Sequence, residues 1–149
     1  MKLNKDGYNI IMTFEGLSLK PYLCSAKVPT IGYGNTYYPN GKKVTMNDPP
    51  ITKQRAEELL VFIADKFASE VLKLIKSKVT QNQFNALVSF AYNVGVTNLS
   101  KSTLLRLVNI NPNDGNIAKE FLKWNKANKV PVKGLTNRRI KEGALYFSK

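Results

Sequence analysis

Between Thr52 and Ile75 the apolar residues Ala56, Leu59, Leu60, Ile63, Phe67, Val71, Leu74 and Ile75 recur at spacings of three and four, with no glycine or proline among them. That repeat belongs to an amphipathic helix, and a run of this length makes a rod to which the rest of the chain must attach. Thr52 is placed to cap it, directly after Asp48-Pro49-Pro50, where two prolines end whatever precedes them. The pattern predicts a linking helix over about 52–76 between two unlike parts of the chain.

The part before the rod opens with a short helix. Asn4 is a fitting N-cap, Ile10, Ile11, Phe14 and Leu17 form one apolar stripe, and the pattern stops at Glu15-Gly16. From about 16 to 50, prolines, glycines and asparagines separate β-prone pieces at Val28 to Tyr33, near Tyr37-Tyr38, and at Lys43 to Thr45 after the turn Pro39-Asn40-Gly41. This predicts a small β-hairpin lobe.

The part after the rod, about 80–149, carries helical periods throughout. Thr80 or Asn82 starts a helix with Phe84, Leu87, Val88, Ala91 and Tyr92 on one face, stopped by Gly95. Ser100 or Ser102 starts another with Leu104, Leu105 and Val108, and Ile117 to Trp124 and Asn137 to Phe147 complete a helical C-terminal lobe. Trp124, at helical spacing from Phe121, is expected in the core. A chain of 149 residues supports one core, burying about 68–70% of the unfolded surface. The expected fold is therefore α+β, mainly α: a single domain over 1–149 with two lobes.

Charge narrows the partners. With 23 Lys+Arg against 10 Asp+Glu the chain carries +13, which suits nucleic acid, an anionic membrane face or the acidic polymers of a bacterial envelope. The absence of any histidine excludes His triads and His-based zinc sites. A single cysteine makes no internal disulfide, so Cys24 is free for chemistry. The opening Met1-Lys2-Leu3-Asn4-Lys5-Asp6 lacks the apolar region of a signal peptide, and no window approaches the roughly 18 apolar residues of a membrane span. The expectation is a soluble protein without stable membrane insertion.

Chemistry concentrates between Phe14 and Gly34, where an acid, a thiol and a hydroxyl stand between two changes of structure. Glu15 closes the first helix, so its carboxyl can face a cleft. Thr30 opens Thr30-Ile31-Gly32-Tyr33-Gly34, an apolar and glycine alternation whose backbone a ligand can approach closely. On residue type alone Glu15 reads equally as a solvated acid at a helix end, and Thr30, whose hydroxyl both donates and accepts, as an ordinary strand residue.

These residues carry a family resemblance. Glu15, eight residues, Cys24, five residues and Thr30 match the Glu-x8-Asp/Cys-x5-Thr signature of the phage lysozymes, or endolysins. Gln83-Phe84-Asn85-Ala86-Leu87-Val88-Ser89-Phe90-Ala91-Tyr92-Asn93-Val94-Gly95 resembles that family's QFDALVSFAFNVG helix, and Ser102-Thr103-Leu104-Leu105 its STLL. Trp124 with Gly134-Leu135, Arg138-Arg139 and Glu142 resembles its closing pattern. The resemblance implies a lysozyme-like fold and hydrolysis of the β-1,4 bond between N-acetylmuramic acid and N-acetylglucosamine in peptidoglycan. It implies catalytic roles for Glu15, Cys24 and Thr30, and substrate contacts from Gly34, Tyr92, Asn93 and Ser102. For the last three, helix core and cap are the competing reading.

The resemblance further implies no metal or other cofactor and no nucleic-acid partner. It describes a monomer held in the host bacterial cytoplasm until a separate pore-forming holin lets it reach the wall. Cys24 stands where aspartate is commoner, and a thiol near its reference value of about 8.5 is mostly neutral at pH 7. Three readings stay open: a partly ionised thiolate acting as base or nucleophile, a neutral group shaping a water pocket, or a packed cysteine. Asn35 stands where relatives usually have histidine, which puts in doubt that histidine's ion pair to a later acid.

Overall fold

The computed structural model describes residues 1–149. In chain order it contains α1 (Lys5–Glu15), β1 (Ser18–Leu23), β2 (Pro29–Gly32), α2 (Lys53–Leu74), α3 (Gln81–Val94), α4 (Val96–Lys101), α5 (Thr103–Ile110), α6 (Ile117–Leu122), β3 (Lys126–Ala127), β4 (Val130–Pro131) and α7 (Lys133–Phe147). Local chemistry starts most of the longer helices. The Asn4 side chain accepts from Gly7 N at 3.3 Å, Thr52 Oγ1 from Arg55 N at 3.0 Å and Ser102 Oγ from Leu105 N at 3.0 Å. Thr80 and Gln83 form a reciprocal capping box at α3.

The rod is α2, whose 22 residues span about 33 Å at 1.5 Å per residue. The main core lies on α3, which is buried continuously from Gln83 to Ala91 and packs against α1, α2 and α7. Close approach is built in at Gly7, where a Cβ would stand 2.7 Å from Asn85 Oδ1. Phe90 meets Phe121 and Trp124 edge-on, each at 5.6 Å between centroids, so Trp124 packs on the core as expected. A separate small cluster of Ile31, Val44 and Leu59 fixes the hairpin segment onto α2. There Asn35 Nδ2 donates to Leu59 O at 3.0 Å, a tether between hairpin and rod.

The structure corrects several element boundaries. β1 pairs antiparallel with β2 in the register Tyr22 with Thr30 and Leu23 with Pro29, yet Ser18–Leu23 carries no alternation of buried and exposed residues. It therefore escapes a period-two reading. The pieces at 37–45 shrink to a single bridge between Tyr37 and Lys43. α4 and the early start of α7 at Lys133 were not foreseen, because neither helix has a side-chain cap to mark its beginning. The β3–β4 ribbon, two residues to a strand, is too short for any periodicity to register.

Candidate active site

Glu15 is the last residue of α1, and its side chain is 20% exposed. Its Oε2 accepts from Arg138 Nη1 at 3.1 Å, a contact across 123 positions of sequence. Arg138 is itself held by Nε donating to Glu142 Oε2 at 3.2 Å and Nη2 donating to Ser89 O at 3.1 Å. Glu142 also accepts from Ser89 Oγ at 2.6 Å and lies 2.7 Å from Arg139 Nε. Arg138, Arg139 and Glu142 are 3%, 0% and 0% exposed. Burial pushes the Glu142 carboxyl up against the pull of Arg139 and Arg138, and pushes the Arg139 guanidinium down against the pull of Glu142, with Arg138 adding to the downward push. Such a group persists because every buried charge has partners.

Facing the acid, Gly34 sits at φ 91, and a Cβ built there would lie 3.9 Å from Glu15 Oε1. The loop backbone therefore passes beside the carboxyl, in a conformation glycine adopts without strain. A cleft of about 270 Å³ opens here, lined by Glu15, Gly16, Leu17, Ser18 and Tyr22. Burial raises the Tyr22 phenol, and the electrostatics of Cys24 and Glu15 raise it further. Tyr22 is not among the candidate site residues of the sequence; its register opposite Thr30 becomes visible only once β1 is known.

Cys24 is held at the end of the hairpin, its backbone N–H bonded to Val28 O at 3.1 Å. Its thiol is pushed below the ordinary range, first by the backbone amide of Val28, then by that of Ala26 and by the Thr30 hydroxyl, against the opposing effect of burial. The Thr30 hydroxyl donates to Val28 O at 2.8 Å. Thr30 itself is 2% exposed.

The other sequence candidates divide. Tyr92 stacks on Phe67 at 5.2 Å and donates its hydroxyl to Tyr33 O at 3.2 Å, bridging α3 to the hairpin segment. Burial first, and then Glu15, raise its phenol. Asn93 is exposed beside it and borders a second hollow with Asn98, Trp124 and Leu135. Ser102 is 7% exposed, accepts from Leu105 N and donates to Leu99 O at 2.7 Å. Its O–H and one lone pair serve the cap, and its second lone pair is the acceptor left for a substrate contact. The contact that sequence reasoning missed is Arg138 on Glu15: the spacing to Glu142 shows a helical pair, but nothing local points 123 positions back.

The phage lysozyme family model matches residues 12–142, nearly the whole chain. The chain belongs to the phage lysozyme family. It is 37% identical to an endolysin of Acyrthosiphon pisum secondary endosymbiont phage 1, with 99% of each covered. It is 43% identical to an endolysin of Bacillus phage B103, covering 99% of this chain but 55% of that protein, so the chain spans about half the length of that relative. Among solved structures, an endolysin from Escherichia coli O157:H7 phage FAHEc1 superposes with a TM-score of 0.92 at 41% identity, covering 99% of this chain and 94% of that one. The fold is the family's α+β arrangement, mainly helical with a small hairpin.

Proposed function

We propose that this phage lysozyme is an endolysin: a muramidase that hydrolyses the β-1,4 bond between N-acetylmuramic acid and N-acetylglucosamine in bacterial peptidoglycan during host-cell lysis. The observation that carries the reading is the facing of Glu15, at the end of α1, by Gly34 and by the hairpin that holds Cys24 and Thr30. The hairpin lobe of about 16–50, the linking helix of about 52–76 and the helical lobe of about 80–149 form one domain, and the glycan lies between the lobes.

In this reading Glu15 delivers the proton to the leaving oxygen. An ion-paired carboxylate has no proton to give, so Glu15 takes one from solvent as the entering glycan displaces Arg138 Nη1, while the bonds of Arg138 to Glu142 and Ser89 O hold it back. On the far face, Cys24 and Thr30 hold and polarise the attacking water. The amides that pull the thiol down make a thiolate accessible there, a base for the water's proton. Tyr22 spans the two groups, Tyr92 and Asn93 flank the glycan on the α3 side, and Gly34 lets the sugar approach the backbone. The chemistry uses these groups and water, without cofactor or metal.

The same reading makes the protein a monomer whose partner is peptidoglycan and not nucleic acid. It waits in the host bacterial cytoplasm and reaches the wall through a separate holin pore. No helix in the chain is long and apolar enough to cross a membrane. Digestion of purified walls tests the reaction: muropeptides with free reducing ends are expected, and none from Glu15→Gln. Anhydro-ring products would assign a lytic transglycosylase instead, and no soluble product at any pH would reject both.

A further inference from the structure

At the other end of α1 from Glu15, about 16 Å away for an eleven-residue helix, lies a groove of about 500 Å³ lined by ten residues, two of them hydrophobic. No acidic side chain lines it and Lys149 brings its one cationic side chain, in a chain with 23 Lys+Arg. The groove is therefore not part of the basic surface that meets polyanions. Its walls are carboxamides and hydroxyls fixed by mutual bonds: Asn82 Nδ2 donates to Ser148 Oγ at 2.9 Å and Gln83 Nε2 to Asn113 Oδ1 at 3.3 Å. These bonds leave Asn82 Oδ1 as an acceptor and Asn113 Nδ2 as a donor without a protein partner. At the margin Phe147, 41% exposed, is held edge-on against Tyr146 at 5.0 Å.

We propose that this groove is a second glycan-binding site, remote from the cleft, for an N-acetylated amino sugar. An acetamido group presents one N–H and one carbonyl, which the Asn82 acceptor and the Asn113 donor complement, and the apolar face of a pyranose suits the exposed ring of Phe147. Uncharged carboxamides match a neutral sugar better than a phosphate or carboxylate. The proposal rests on the muramidase reading only for the choice of polymer. Its consequence is retention: a second hold on an insoluble glycan raises the local concentration of cleavable bonds without changing the chemistry at Glu15.

The test uses the full chain carrying Glu15→Gln, titrated with N-acetylglucosamine tetramer and followed by backbone amide shifts. Shifts are expected at Asn82, Asn113 and Phe147 as well as at Gly34. Asn82→Trp, which fills the groove, and Phe147→Ser, which removes the ring, should each erase the first set and leave the Gly34 shift. Each should weaken retention of the Glu15→Gln protein on washed cell walls by roughly tenfold, below the 10²- to 10⁴-fold range of linked sites. With Glu15 intact, both variants should cleave a short soluble oligomer at the parent rate. Groove amides that stay still while the Gly34 shift saturates, or full wall retention by both variants, would overturn the proposal. If the parent protein releases no muropeptides, the muramidase reading fails while the groove shifts still decide this one.

Discussion

Glu15 and Cys24 are held by opposite means. Behind Glu15 stands a buried set of side chains, Arg138, Arg139, Glu142 and Ser89, each bonded more than once and closed to water. Around Cys24 the support is backbone: its N–H donates to Val28 O at 3.1 Å and its carbonyl accepts from Lys27 N at 2.8 Å, on a hairpin whose first strand is largely exposed. Buried charges are costly to disturb, because removing one strands another in a low dielectric. Backbone amides keep their place whatever side chain they serve. A site built this way should accept substitution at the hairpin position more readily than at the helical one.

The largest effect is expected where the chemistry meets the buried network. Glu15→Gln keeps shape and an acceptor for Arg138 but has no proton to deliver, so wall hydrolysis should fall by about 10²- to 10⁴-fold. Its melting temperature should stay near that of the parent. A folded variant with more than about a tenth of the parent activity would remove Glu15 from the acid role.

Next comes the network itself. Glu142→Leu leaves two buried guanidiniums without their shared carboxylate, which should cost about 3–5 kcal/mol. For a domain of this size that is a fall of about 6–20 °C in Tm by calorimetry. Cys24→Ala should move Tm by less than about 2 °C, since surface changes stay within about 0.5 kcal/mol. Equal losses in the two variants would erase the contrast between the supports.

How far the sequence exposes these supports follows from their range. Helix caps and apolar periods are local, so Thr52, Thr80 and the stripe from Ala56 to Ile75 place α2 and α3 within a residue or two. The helix-end position of Glu15 is local as well. The bond from Arg138 to Glu15 is not: it joins the last residue of α1 to the interior of α7 and exists only because both pack on α3. The pairing of Tyr22 with Thr30 is hidden because its strand lacks alternation, and the cap made by Ser102 shows only in its bonds to Leu99 O and Leu105 N. Cys24 shows the same limit. No cation neighbours it closely in sequence, and the amides that lower its thiol come from a turn whose shape the residue types do not announce.

That turn supplies the third expectation. Cys24→Ala should lower hydrolysis by roughly 10- to 100-fold, at or below the bottom of the usual range for acid–base help. Cys24→Asp, on the same amides, should keep activity near neutral pH. The parent rate should climb with pH on an ionisation below the ordinary thiol value of about 8.5 and be stopped by a thiol-alkylating reagent, and the aspartate variant should lack that rise. An alanine variant matching the parent at every pH would make Cys24 a packing residue.

The smallest effect lies at the far edge of the hairpin segment and asks whether it can loosen alone. Asp48 accepts from Tyr38 Oη at 2.6 Å, Thr45 Oγ1 at 2.7 Å and Thr45 N at 3.0 Å. These donors, the Tyr38 hydroxyl first, hold its carboxyl below the usual range. A folded value below the unfolded one, about 3.9, means the contribution is complete above that value and is lost as pH falls through the folded value. Tyr38 runs the other way: burial first, then Asp48, push its phenol up to about 12. Its contribution is complete below the unfolded value of about 10 and is lost as pH rises through about 12. The Val44 methyl resonances, inside the small cluster with Ile31 and Leu59, should therefore shift below about pH 4 and again above about pH 10. Those of Leu87 in the main core should hold at the acid end until the whole domain unfolds. Asp48→Asn should flatten the acid step at Val44. If Val44 and Leu87 respond together at every pH, hairpin and helical body melt as one unit, and the exposed hairpin is as firmly held as the buried wall behind Glu15.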